Sequence, residues 1–287
     1  MASLKVRRVG IVGSGIMGAG IAEVAAKHGH DVVLRSRHQA SADGMVASLD
    51  RSLAKQVEKG KLDASERDAA IRRVTSTTSL SDLAECDLVI ESVVEDLAIK
   101  KEIFRELDLV CRADVLLATN TSTLPVIELA IATSRPERVC GLHFFNPAPL
   151  MSLVEIVRPL TADDDTVETV RTFALDCGKE PVEVKDKAGF IVNALLFPYL
   201  NNAVRLYEQG TASMEDVDTA MKGGCNFPMG PFALLDLVGL DTSVAILDAL
   251  YDEFKDTNYA AVPLLRRMVS AGRLGRKAGR GFYDYRA

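Results

Sequence analysis

Apolar residues gather in short runs along the first part of the chain, separated by stretches with helical spacing. "RRVGIVG" is a compact apolar run, "IMGAGIAEVAAKHG" repeats its apolar positions at helical intervals and stops at Gly29, and "HDVVLR" is a second short run. Together they predict a strand–helix–strand unit. Further strands are predicted at "DLVIES", "DVLLATN", "RVCGLHF" and "LVEIVR", with helix-like segments such as "LAIKKEIFRELDLVCR" between them. This alternation predicts an α/β fold with a mostly parallel sheet and helices on both faces. One long helical stretch, "ADGMVASLDRSLAKQVEKGKLDASERDAAIRR", interrupts it. Its charges mark one side as solvated, and a helical pair projecting from the sheet is expected. After "GKEPVEVKDKAGF" the pattern changes, and from Ile191 onward only helical segments follow, punctuated by Gly and Pro. Two domains are therefore expected, 1–185 and an all-helical 186–287, packed without a low-complexity linker and with a ligand site between them.

The strongest motif is "VGIVGSGIMGAGIAEV", in which Gly13, Gly15 and Gly18 stand as GxGxxG after a strand and at the start of a helix. The first glycine permits the tight turn, the second lets a pyrophosphate approach the backbone, and the third lets helix and strand pack closely. Ile16 and Met17 lie inside this loop, at the helix N-terminus, where amide donors and a partial positive charge suit phosphate. A Rossmann-like dinucleotide-binding domain follows. Its second strand runs out into Arg35, Ser36 and Arg37, where an acidic residue commonly accepts hydrogen bonds from the adenosine ribose. A carboxylate there repels a 2′-phosphate, whereas a guanidinium pairs with it and a small hydroxyl leaves room. Ser36 and Arg37 thus favour NADP over NAD, with solvated surface arginines as the alternative.

Composition narrows the class. The chain has 287 residues, 48% of them hydrophobic, enough for more than one core. A net charge of −6 argues against a nucleic-acid partner. Cys86, Cys111, Cys140, Cys177 and Cys225 are widely spaced and odd in number, which fits buried thiols in a reducing compartment and neither a disulfide framework nor a metal site. No segment is apolar for the ~20 residues of a membrane span, so a cytoplasmic, non-membrane protein is expected.

Polar residues also sit just past apolar strands in "ATNTSTLPV" and "GLHFFNPAPLMSLVEIV", the place where open α/β sheets bind ligands. His143 offers a general base, and Glu155 lies on a strand that can run back beside it. A carboxylate on one ring nitrogen fixes the tautomer and leaves the other free to exchange a proton. Spacing alone equally allows a core or surface histidine.

"GSGIMGAGIAEVAAKHGHDV", "LVIESVVEDLAIKKEIFRELD", "TNTSTLPV", "GLHFFNPAPLMSLVEIV", "AGFIVNALLFPYLNNAVRLYEQG", "DVDTAMKGGCNFPMGPFALLDLVGLD" and "GRLGRKAGRGFYDY" occur in the order found in the 3-hydroxyacyl-CoA dehydrogenases. Over essentially its whole length the chain resembles that family, most closely the short-chain, hydroxybutyryl-CoA members. The resemblance implies a Rossmann-like domain, a helical domain that mediates dimerisation and completes the active-site cleft, and interconversion of acetoacetyl-CoA and 3-hydroxybutyryl-CoA. It makes His143 the catalytic base, Glu155 its orienting partner, and Ser122 and Asn193 the substrate-positioning pair. To the glycine loop it adds Glu95, Lys100, Asn120, Ser122, Asn146 and Lys277 as cofactor contacts, and Ser48 and Lys55 as coenzyme A contacts. Two positions depart from the family: many members have Asp at Ser36, and many have Arg at Ala194. A free hydroxy-acid dehydrogenase on the same plan and a non-catalytic dinucleotide-binding protein remain as alternatives, though the full Ser122, His143, Glu155 and Asn193 set weighs against the latter.

Overall fold

Short apolar strands alternate with amphipathic helices through the first part of the computed structural model, which describes residues 5–286. The elements are β1 (Arg8–Val12), α1 (Ile16–Lys27), β2 (Asp31–Arg35), α2 (Gln39–Glu58), α3 (Ala64–Arg72), β3 (Val74–Thr77), β4 (Leu88–Glu91), α4 (Leu97–Val110), β5 (Leu116–Thr119), α5 (Val126–Ala130), β6 (Val139–Phe144), β7 (Leu153–Arg158), α6 (Asp164–Asp176) and β8 (Glu180–Lys185). They form one eight-stranded sheet in the order β3-β2-β1-β4-β5-β6-β7-β8. Every pairing is parallel except β6 with β7. Strand order reverses direction between β1 and β4, and because such crossovers are right-handed, α1 and α4 cover opposite faces. Ligands bind open sheets at this kind of switch point, beyond the carboxyl ends of the strands.

Both edge strands lie outside the predicted set. β3 reads "VTST" and β8 "EPVEVK", and neither buries a continuous apolar run. Pro181 has no N–H to give, and an edge strand tolerates that loss; the charges of β8 guard the same edge against pairing with another chain.

The expected projecting helical pair is corrected. Ala42, Met45, Leu49 and Leu53 of α2 and Ala70 of α3 are buried, most of them in one core with Ile21 and Ala25 of α1. Gln56 ties the pair to α1, donating to Glu23 Oε1 at 2.7 Å and accepting from Lys27 Nζ at 2.7 Å. The apolar stripe and these polar ties lay the helices along α1, with only their outer face solvated. The thiols are also corrected at one position: four are buried but Cys225 is exposed.

The chain divides into two compact units between Asp186 and Lys187. The second contains α7 (Val192–Glu208), α8 (Met214–Cys225), α9 (Pro231–Val238), α10 (Leu240–Phe254) and α11 (Pro263–Ser270). Phe197, Leu200, Phe232, Leu235, Leu247 and Leu265 fill its core. Gly239, at φ 103°, breaks α9 from α10. Among the described residues no helix is long and apolar enough to cross a membrane.

Candidate functional site

The turn from β1 into α1 is built from glycines with different physical reasons. Gly13 has φ 130°, and a Cβ there would stand 2.2 Å from the carbonyl oxygen of Ser92. At Gly18 a Cβ would stand 2.4 Å from the carbonyl oxygen of Gly13. The protein itself requires both. Gly15 is different, because nothing lies within 4 Å of a Cβ placed there. It is the N-cap of α1, no side chain caps the helix, and no acidic residue sits in the first turn. The positive end of the helix is therefore left to something other than a side chain. Ile16 is 78% exposed beside it, and Met17 is half-buried. Open space at an uncapped helix N-terminus fits the pyrophosphate of a dinucleotide.

At the end of β2, Ser36 is buried and its amide donates to the Thr77 carbonyl at 3.1 Å. Arg35 donates through Nε to the Thr78 carbonyl. Arg37 is exposed and forms no ion pair among the described residues. Of the two arginines, Arg37 is thus the one turned outward.

The ends of β4 and β5 share a polar network that runs from the buried Glu91 and Lys100 out to the exposed Glu95. Lys100 of α4 is 1% exposed, and its ammonium donates to Glu91 Oε1 at 2.6 Å and stands 3.4 Å from Glu95 Oε2. Thr119 donates to the other oxygen of Glu91 at 2.7 Å. Glu95 Oε1 accepts from Thr121 Oγ1 at 2.6 Å and from the Ser122 amide at 2.8 Å, with the Ser122 hydroxyl at 3.2 Å. Burial would raise the Glu95 carboxyl, but Lys100 and the donors from Thr121, Ser122 and Thr123 outweigh it and hold it below the usual glutamate value. Lys100 is committed to the two carboxylates, so it reaches the surface only through Glu95. Glu91 and Thr119 were missed in the sequence, where the available signal was a charged residue closing an otherwise apolar strand. Asn120 links neighbouring strand tips: its amide donates to the Glu91 carbonyl, and its Oδ1 accepts from the Phe144 amide at 2.8 Å.

His143 and Glu155 are direct partners across the one antiparallel step of the sheet. Opposed residues on such a pair point to the same face, which brings Nδ1 to 2.8 Å from Glu155 Oε2. Glu155 is fully buried and His143 nearly so. A carboxylate only accepts, so the hydrogen of this bond lies on Nδ1. The Phe145 ring packs against the imidazole, centroids 4.5 Å apart. Asn146 follows, exposed, at the start of the β6–β7 loop.

Ser48 and Lys55 lie seven residues apart on α2, two helical turns, and both are exposed, so they share one outward face. In the second unit Asn193 is buried in the first turn of α7, just after Gly189 and Phe190 at φ 72° and 50°. Lys277 lies in a short turn, Arg276–Ala278, and its ammonium meets Asp241 at 2.6 Å. Burial tends to raise that carboxyl, but Lys277 and the Thr242 amide bring it below the usual aspartate value. The first unit therefore brings together His143 with Glu155, Glu95 with Ser122 and Lys100, and Ser48 with Lys55.

Residues 8–187 match the family model described as 3-hydroxyacyl-CoA dehydrogenase, NAD binding domain, and residues 189–285 match its C-terminal domain. A 3-hydroxybutyryl-CoA dehydrogenase of Clostridioides difficile is 48% identical, covering 97% of this chain and 99% of its own. The crystal structure of an (S)-3-hydroxybutyryl-CoA dehydrogenase from Ralstonia eutropha superposes with a TM-score of 0.96 at 42% identity, covering 99% of this chain and 100% of that one. A diketoreductase acting on dicarbonyl compounds is more distant, with a TM-score of 0.85 at 31% identity, covering 98% and 100%.

Proposed function

The chain belongs to the 3-hydroxyacyl-CoA dehydrogenase family, and on that premise we propose that it interconverts acetoacetyl-CoA and 3-hydroxybutyryl-CoA with NADP(H) as preferred dinucleotide. It is an oxidoreductase of CH–OH groups that uses a nicotinamide dinucleotide. The observation that carries the chemistry is the buried 2.8 Å contact between His143 Nδ1 and Glu155 Oε2 at the carboxyl end of β6.

Bound nicotinamide supplies the hydride acceptor in oxidation and the donor in reduction. During oxidation His143 Nε2 takes the proton of the 3-hydroxyl, and Glu155 stabilises the imidazolium that forms. In reduction the same imidazolium returns the proton to the developing alkoxide. Ser122 and Asn193 hydrogen-bond the reacting oxygens, so that orientation and charge stabilisation come from groups fixed beforehand. Glu95 holds Ser122 in place, Lys100 holds Glu95, and Glu91 anchors Lys100. Ser48 and Lys55 take the coenzyme A end, Lys55 meeting a phosphate. Exposed Arg37 meets the 2′-phosphate, and Ser36 leaves it room. Asn146 and Lys277 complete the dinucleotide contacts, and the enzyme works as a homodimer.

The relationship to a diketoreductase favours one second reading, reduction of a substrate without coenzyme A. Parallel assays of acetoacetyl-CoA and free acetoacetate, each with NADPH and NADH, test both. Turnover of the thioester with an NADPH preference, abolished in His143→Ala while dinucleotide binding survives, is the expected result. Equal turnover of the free acid selects the second reading, and near-normal turnover of His143→Ala removes the general base.

A further inference from the structure

Lys179 is a buried lysine that no part of the proposed chemistry uses. Its ammonium donates to two backbone carbonyls of the β6–β7 loop, Ala148 at 2.7 Å and Met151 at 2.8 Å. The neighbouring Glu180 amide donates to the Ser152 carbonyl at 2.8 Å, so residues 179 and 180 gather three carbonyls of one loop. Burying an ammonium is costly unless its donors are used, and here they are spent on holding a loop shape. Burial lowers its readiness to hold a proton, Lys27 of α1 lowers it further, and Cys177 and Glu23 oppose the shift.

The same loop also packs closely against α1. Gly20 gives it room, because a Cβ there would meet Ala148 Cβ at 3.2 Å and Pro149 Cδ at 3.3 Å. Gly20 stands little more than one turn beyond the glycine loop. The β6–β7 loop is thereby held both by α1 and by Lys179, with Asn146 exposed at its leading end and His143 three residues earlier.

We propose that Lys179 is a positioning residue for the dinucleotide: its ammonium fixes the β6–β7 loop against α1 and so sets where Asn146 presents its side chain. This rests on the assignment of Asn146 as a cofactor contact. Without the ammonium, the buried Ala148 carbonyl and the half-buried Met151 carbonyl lose their donor, and the loop shifts to satisfy them.

The test is direct binding of NADH, followed by the dinucleotide's own fluorescence, in a chain that contains no tryptophan to interfere. Lys179→Met is expected to weaken NADH by about tenfold, the scale of one lost charged hydrogen bond, while the KM for acetoacetyl-CoA stays within about twofold. Asn146→Ala should weaken NADH similarly, and the double variant should be little worse than either single one, because both remove the same contact. Should Lys179→Met fail to fold, Lys179→Gln, which keeps one donor, is expected to weaken NADH a few-fold. Full additivity in the double variant, or unchanged NADH binding in the folded Lys179 variants beside a weakened Asn146→Ala, overturns the role of Lys179. Unchanged binding in Asn146→Ala removes the underlying assignment instead.

Discussion

Replacing Glu155 by Gln keeps the size of a fully buried side chain and removes only its charge. In the native protein the carboxylate accepts from Nδ1 of His143 at 2.8 Å, inside a strand pair that holds both residues in place. A hydrogen bond to a charged group contributes about 1.5–3 kcal/mol, and each 1.4 kcal/mol is about tenfold in rate, so loss of this stabilisation of the imidazolium costs roughly 10- to 150-fold. A second effect acts the same way. An amide can turn its NH₂ toward Nδ1, and then the hydrogen sits on Nε2, the nitrogen that must accept a proton. We expect kcat to fall by about 10² in both directions, with NADH affinity unchanged and thermal stability nearly so, since no buried charge is left unpaired. Steady-state rates with acetoacetyl-CoA, read from the absorbance of the reduced nicotinamide, give kcat; fluorescence titration gives the affinity. A variant with kcat within about twofold of wild type would refute the dyad, because general acid–base catalysis of this kind contributes at least about 10².

Arg37→Ala is expected to weaken NADPH by about tenfold or more while leaving NADH within about twofold, as loss of a charge-assisted contact to phosphate alone requires; equal losses for both dinucleotides would sink the NADP assignment. Gly13→Ala and Gly15→Ala should separate fold from ligand. The first places a Cβ 2.2 Å from the Ser92 carbonyl oxygen at φ 130°, costing about 2–4 kcal/mol in a denaturation experiment, whereas the second meets nothing within 4 Å and should leave stability within about 0.5 kcal/mol yet cripple dinucleotide binding. If Gly15→Ala binds NADPH normally, the pyrophosphate does not sit there. His30 is buried with Nε2 unpartnered, and burial lowers its pKa, partly opposed by Asp176 and the Val6 backbone. The unfolded chain therefore takes up the proton first, so His30 costs no stability above its unfolded pKa of about 6.5 and becomes destabilising as pH falls below it. Melting temperatures measured across that range should drop less steeply for His30→Gln than for wild type, and parallel curves would count against this origin.

How much was legible in the sequence depends on where a residue's constraint comes from. Interior strands such as β4 and β5 are buried along their whole length and announce themselves as apolar runs. β3 and β8 carry no such run because they sit at the two sheet edges, half in water. The glycine loop was readable because its spacing encodes a local turn, although only the structure separates Gly13 and Gly18, required by neighbouring backbone, from Gly15, which no protein atom requires. Spacing alone left His143 and Glu155 open to a bland reading, the resemblance gave them roles, and strand pairing sets them opposite each other. Glu91, Thr119 and Lys179 were invisible for a related reason: each is defined by partners far away in sequence, and a lone Glu, Thr or Lys leaves no local trace. The helical pair was misjudged because its surface charges were read and its buried stripe of Ala42, Met45, Leu49 and Leu53 was not.

The antiparallel step between β6 and β7 also determines which changes of length the protein can survive. Gly141 faces Val157, Leu142 faces Ile156, His143 faces Glu155 and Phe144 faces Val154, so the ladder itself holds the histidine against the carboxylate. A residue gained or lost within either strand turns Glu155 to the opposite face of the sheet and separates the pair at once. A residue gained in the connecting loop leaves the pair where it is, provided Ala148 and Met151 still reach Lys179. The His143–Glu155 contact and the presentation of Asn146 are thus set by different parts of the same hairpin.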